Sequence, residues 1–168
     1  FAPSPDARHL AYAVAKGGAD WESVRVRQLS TGLDLDEELH WVRFSGISWT
    51  HDAKGFFYAR YPEPPKNKML EAALAGQAVY YHRLGTPQAD DELICERPDH
   101  PGWIVGGEVT EDGRFLLITT HEGADNNNRL YAADLGDPGA PDVRATIIPI
   151  TEAGDAEKTR RTHVVAGE

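Results

Sequence analysis

The sequence predicts an all-β chain of repeated four-stranded antiparallel units, and three observations carry that expectation. A turn motif recurs without a gap as Ser4-Pro5-Asp6-Ala7-Arg8, Thr50-His51-Asp52-Ala53-Lys54 and Thr110-Glu111-Asp112-Gly113-Arg114, each copy leading into apolar residues. A strand that ends in leucine before a Gly or Pro turn follows each copy in phase, at Leu29, Leu84 and Leu135. The spacing from turn aspartate to this leucine is 23, 32 and 23 residues, so the outer copies share one unit and the middle copy carries an insertion. Evenly repeated four-stranded meanders are the signature of a β-propeller, in which each blade buries its faces against its neighbours.

Each element has a local reason. Phe1-Ala2-Pro3 is what remains of a first strand, and the Asp6 turn follows because an Asp side chain accepts from the backbone N–H two residues on. Strands are expected at 10–12, 24–29 and 33–39, then 45–49 before the second turn and 56–58 after it. Pro62-Glu63-Pro64-Pro65 breaks the pattern and leads into helix-forming residues at 68–75, which marks the insertion as a loop with a helical turn. The strands at 79–84 and 92–96 complete the second unit, and 103–109, 115–118, 130–135 and 146–150 make the third. The expected organisation is a partial propeller over 1–150, with blades at roughly 1–40, 45–97 and 103–150 and the first strand cut short. Residues 151–168 are an unassigned tail or the start of a next blade.

Composition removes several function classes. Seventeen Lys and Arg against 27 Asp and Glu give a net charge of −10, which opposes binding to a phosphate backbone, so no nucleic-acid partner is expected. Apolar runs such as 115–118 are far too short to span a bilayer as a helix, and no membrane partner is expected. The single cysteine, Cys95, allows no internal disulfide. His9, His40, His51, His82, His100, His121 and His163 are dispersed without metal-ligand spacing, so neither a metal nor another cofactor is expected. The run Asp90-Asp91-Glu92 reads as a solvated turn, and Tyr80, Tyr81 and Tyr131 as packing between blades.

Length alone, 168 residues, fits a closed ring of four blades, but no fourth turn aspartate follows Ile150. Phe1 is therefore expected to be a break in a longer chain. Three blades alone would leave two apolar end faces uncovered, and such a piece is expected to aggregate.

Several long strings together resemble one family. Val42-Arg43-Phe44-Ser45-Gly46-Ile47-Ser48-Trp49-Thr50-His51-Asp52-Ala53-Lys54-Gly55-Phe56-Phe57-Tyr58, with Tyr61-Pro62 after it, resembles the propeller of prolyl oligopeptidase. So do Val79-Tyr80-Tyr81-His82-Arg83-Leu84-Gly85-Thr86-Pro87-Gln88 and Glu108-Val109-Thr110-Glu111-Asp112-Gly113-Arg114, with Glu122-Gly123 and Arg129-Leu130-Tyr131 further on. The likeness runs in register from about Ser4 to Leu135 and fades beyond.

The resemblance implies a serine peptidase that cuts short peptides on the carboxyl side of proline. Its seven-bladed propeller gates and partly lines the substrate pocket, and an α/β-hydrolase domain carries a Ser-Asp-His triad. No G-x-S-x-G elbow occurs here, Gly46-Ile47-Ser48-Trp49-Thr50 being the nearest string, so the catalytic domain is absent from this chain and the segment alone is expected to be inert. By the same resemblance Phe44 lines the substrate pocket, with Ile104 where well-known members have methionine and Ala124 where they have cysteine. Asp20 matches an acid that faces the catalytic domain and could latch the two domains. The implied partners are short proline-containing peptides and the hydrolase domain of the same protein. A cytoplasmic location is expected, with the periplasm as the alternative.

Two other classes compete for the same residues. A glycosidase propeller would need its Asp turns in another register with glycine and tryptophan. A non-catalytic binding propeller explains the missing triad but lacks the Trp-Asp repeat signature; it is the runner-up.

Overall fold

The computed structural model describes residues 1–15, 21–64, 74–122 and 128–151. Seven strands form one antiparallel sheet in chain order: β1 (Ala2–Pro3), β2 (His9–Ala15), β3 (Glu22–Gln28), β4 (Asp34–Trp49), β5 (Gly55–Arg60), β6 (Ala78–Arg83) and β7 (Glu92–Cys95). A second sheet of four holds β8 (Trp103–Val109), β9 (Phe115–Glu122), β10 (Asn128–Asp134) and β11 (Ile147–Pro149). Among the described residues there is no α-helix, only a 3-10 turn at Gln88–Asp90. Most of the helix-forming stretch expected at 68–75 lies outside the described residues, and Leu74 and Ala75 carry no regular structure.

The three repeated turns have one chemistry. Ser4, Thr50 and Thr110 donate their hydroxyls to Asp6, Asp52 and Asp112 at 2.6, 2.7 and 2.5 Å. The same carboxylate oxygens accept from the N–H groups of Arg8, Lys54 and Arg114. This double use of one Asp closes the turn and aims the next residues into β2, β5 or β9. The hydrogen bond from Ser4 is the main influence holding the Asp6 carboxyl below its ordinary range, and that from Thr110 does the same for Asp112.

Alternation along β5 shows why the middle unit is apolar throughout. Phe56 and Tyr58 pack with Ala11, Val24, Val26, Leu39, Val42 and Trp49 toward the first unit. Phe57 packs with Val79, Val105, Leu116, Ile118 and Ala133 toward the third. Successive strand residues point to opposite faces, and here both faces are covered, so residues 55–59 are all buried. Gly55 allows close approach, since a Cβ there would lie 2.2 Å from the His82 carbonyl oxygen.

The largest departure from the strand expectations is β4. Separate strands were expected at 33–39 and 45–49, but one 16-residue strand serves two units. Its first part pairs with β3 from Asp34 to Val42, and its last part with β5 from Ile47 to Trp49. Register breaks between Val42 and Ile47, where Phe44 has a φ of 53°, and Trp41 just before it has a φ of 62°.

A second departure concerns the acidic run. Asp91 is not solvated: its side chain is fully buried with that of His82, and their Oδ1 and Nδ1 lie 2.7 Å apart. Tyr58 donates its hydroxyl to the other Asp91 oxygen at 2.6 Å, and Gln88 donates to Tyr58 and to the His40 carbonyl. Burial first, then the Asp91 charge, pushes the Tyr58 phenol far above its ordinary value, so it remains a donor. Glu37 lies beside this network, with one oxygen accepting from the Gly85 N–H.

Candidate functional site

The Asp turns stand at the start of β2, β5 and β9, so these strands run from a turn edge to an opposite edge and end there at Ala15, Arg60 and Glu122. Val42 is at that opposite edge because it pairs with both Glu22 and Arg60. Phe44 follows it in the crossover. Ile104 is the second residue of β8 and pairs with His121 near the end of β9, which puts it at the same edge. Asp20 and Ala124 lie outside the described residues.

Phe44 projects from a bulge in the long strand. It is 55% exposed and holds a left-handed φ that bulky residues avoid. The guanidinium carbon of Arg43 sits 4.8 Å from the ring centroid, so the aromatic face is flanked by a cation rather than by apolar core. A bulge removes ladder partners from the backbone, and here four of the groups around it are paired in other ways. The Trp41 carbonyl accepts from the Tyr61 N–H at 2.9 Å. The Ala59 N–H donates 2.7 Å to Ser45 Oγ, which itself donates to the Gly46 carbonyl. The Arg43 carbonyl accepts from the Gln77 amide at 2.8 Å. Trp21 packs edge-on against Trp41 and Tyr61, with centroids at 5.9 and 5.6 Å. The exposed ring in its strained conformation thus sits beside a frame anchored on buried Ala59, Tyr61 and Gln77.

Gln77 also reaches Ile104. Its side-chain oxygen accepts from the Val105 N–H at 2.9 Å, and Gln77 is only 2% exposed. Since β8 is the last strand of its sheet, every second N–H along it lacks a ladder partner; Val109 solves this by donating to Ser48 Oγ. The structure therefore joins the backbone beside Phe44 to the backbone beside Ile104 through one amide.

Next to Ile104 stands a group that sequence reading did not single out. His100 stacks on Trp103 at 3.9 Å, and the Arg97 and Arg129 guanidinium carbons lie 4.6 and 4.5 Å from the same ring. Arg97 donates to the Tyr131 hydroxyl and to both oxygens of Asp99. Those Arg97 hydrogen bonds are the main reason the Asp99 carboxyl sits down at about 2. Only a cluster of Arg and aromatic residues scattered over 97–131 hinted at it. Among the described residues no three His, Cys, Asp or Glu side chains converge as metal ligands would.

Comparison with known proteins matches this chain to one family. The family model for the prolyl oligopeptidase N-terminal β-propeller domain matches residues 1–163. Prolyl oligopeptidase A of Amanita bisporigera is 39% identical over 145 residues, covering 77% of this chain and 19% of that protein. A solved structure from a mechanistic study of two prolyl endopeptidases superposes with a TM-score of 0.77 at 35% identity, over 89% of this chain and 20% of its own. Prolyl oligopeptidase B of Galerina marginata, bound to a 35mer hydrolysis and macrocyclization substrate, gives a TM-score of 0.75 at 32% identity, over 88% and 21%. The chain thus spans about a fifth of the length of the relatives it matches. With its three Asp turns, its shared β4 and its four-stranded units, the chain belongs to the prolyl oligopeptidase family and lies within the β-propeller domain of that family.

Proposed function

We propose that this propeller segment is part of a serine oligopeptidase that cleaves short peptides after proline, and that the Phe44 edge forms part of the wall against which the peptide lies. The observation that carries this reading is the exposed Phe44 ring on a strained backbone, in a crossover whose neighbouring backbone is held by Tyr61, Ser45 and Gln77. Folding gains little from such a residue, whereas an aromatic face held open to solvent suits contact with a peptide side chain. A relative of known structure is bound to a 35mer substrate, which supports a peptide as the ligand here too.

In this reading the reacting groups belong to an α/β-hydrolase domain: a serine attacks, a histidine takes its proton, an aspartate orients the histidine, and backbone N–H groups hold the oxyanion. This chain contributes binding and orientation. Phe44 and Ile104 present an apolar wall, Ala124 extends it without a thiol, and Asp20 pairs with a basic residue of the catalytic domain.

The experiment is to express the intact protein, assay a chromogenic prolyl peptide, and treat it with a fluorophosphonate that labels active serines. Cleavage after proline together with labelling of a serine beyond Glu168 is the expected result. A stable intact protein that neither cleaves nor labels would turn the assignment to a binding propeller.

A further inference from the structure

The Gln77 amide pairs with backbone groups beside both proposed wall residues. Its NH2 donates 2.8 Å to the carbonyl of Arg43, the residue before Phe44. Its oxygen accepts at 2.9 Å from the N–H of Val105, the residue after Ile104. The bond to Val105 is buried and the bond to Arg43 partly so; the first ends on the last strand of a sheet and the second in the register break of the long strand. A carboxamide carries its donor and its acceptor on separate atoms of one rigid tip, and the reach of Gln sets how far apart the two segments sit.

We propose that Gln77 is a positioning residue for substrate selection: its amide sets the spacing between Phe44 and Ile104 and so favours peptides long enough to touch both. This rests on the reading that Phe44 and Ile104 face the peptide. Substituting Glu keeps an acceptor for Val105 but turns a carboxylate oxygen toward the Arg43 carbonyl, so the crossover must move. Asn keeps both functions but is one methylene short, so it can hold one segment at the expense of the other.

The test uses the intact enzyme and two probes, a prolyl dipeptide anilide and a tetrapeptide anilide with a bulky apolar residue upstream of the proline. Gln77→Glu is expected to lower kcat/KM for the tetrapeptide about tenfold, mainly through KM, and to leave the dipeptide within about twofold. In a Phe44→Ala background the same substitution should lose most of its effect, because the two act through one contact. Equal losses on both probes, full additivity with Phe44→Ala, or no change in the tetrapeptide would each overturn the proposal. Gln77→Asn is measured in parallel; if neither variant folds, Gln77 is a stability residue and the proposal fails. Phe44→Ala alone separates the two levels. Should it leave the tetrapeptide unaffected, the wall reading itself is lost, whereas a loss there with an inert Gln77→Glu removes only the role given to Gln77.

Discussion

His82 and Asp91 form a fully buried pair, with Nδ1 and Oδ1 2.7 Å apart, at the junction between the first two units. Tyr58 completes it by donating to the second Asp91 oxygen. Removing one member takes a hydrogen bond from a buried partner, which costs more than the net worth of that bond. His82→Ala should therefore destabilise the propeller by about 3 kcal/mol in urea unfolding, and Tyr58→Phe by about 1–2 kcal/mol. A loss below about 1 kcal/mol for His82→Ala would mean that water replaces the imidazole at little cost.

The third copy of the turn uses glycine where the others use alanine, and a neighbour explains it. Ala7, Ala53 and Gly113 all have positive φ, at 56°, 55° and 76°. At Gly113 an added Cβ would lie 2.4 Å from the His51 ring, which belongs to the preceding turn. Gly113→Ala should cost about 2 kcal/mol from strain plus overlap, whereas Ala53→Gly should fall within about 1 kcal/mol of the parent. His51→Ala in the Gly113→Ala background should recover part of the loss. No recovery in the double variant would show that backbone strain alone decides.

Acid titration offers a separate check on the Arg97 cluster. Asp99 is held at about 2, against an ordinary 3.8, chiefly by hydrogen bonds from Arg97. A depressed carboxyl favours the folded state above its unfolded value, and that contribution fades as pH falls through the folded one. The Asp99 carboxyl carbon should therefore show its NMR midpoint near pH 2, and Arg97→Ala should move the midpoint up toward 3.8. A midpoint near 3.8 in the parent would dissolve the cluster.

Phe44→Ala should lower kcat/KM of the intact enzyme on tetrapeptides by about 1–3 kcal/mol, the scale of one apolar side chain in a specificity pocket. Its effect on stability should be small, because the ring is more than half exposed. Unchanged kcat/KM across a peptide series would take Phe44 out of the site.

Cys95 provides a simple probe of integrity. Burial is the main cause pushing its thiol above the ordinary value, with Arg97 opposing. Labelling by a maleimide at neutral pH should be slow in the folded protein and fast in denaturant. Rapid labelling of the native form would show that the edge around β7 opens.

Much of the fold was legible from residues near one another in the chain. Each Asp turn is read from five consecutive residues, because its hydrogen bonds close within the turn, and the strands that follow show their alternation directly. Expecting separate strands at 33–39 and 45–49 missed that one strand runs through both and changes partner from β3 to β5, a switch set by which neighbours it meets. The site was visible only by likeness at Phe44 and Ile104, and nothing in the sequence pointed to Gln77.

By itself, then, the sequence determined the repeating turns, the four-stranded units and the family, since each depends on short-range hydrogen bonding or on strings of residues. Tertiary structure alone decided that Asp91 is buried on His82, that Phe44 stands exposed at a strained crossover, and that Gln77 ties it to Val105. Those outcomes depend on which segments meet when blades stack: His40 and Gln88 are 48 residues apart, and Gln77 and Val105 are 28. Pairing over such distances is set by packing of whole sheets, and no local pattern of charge or hydrophobicity encodes it.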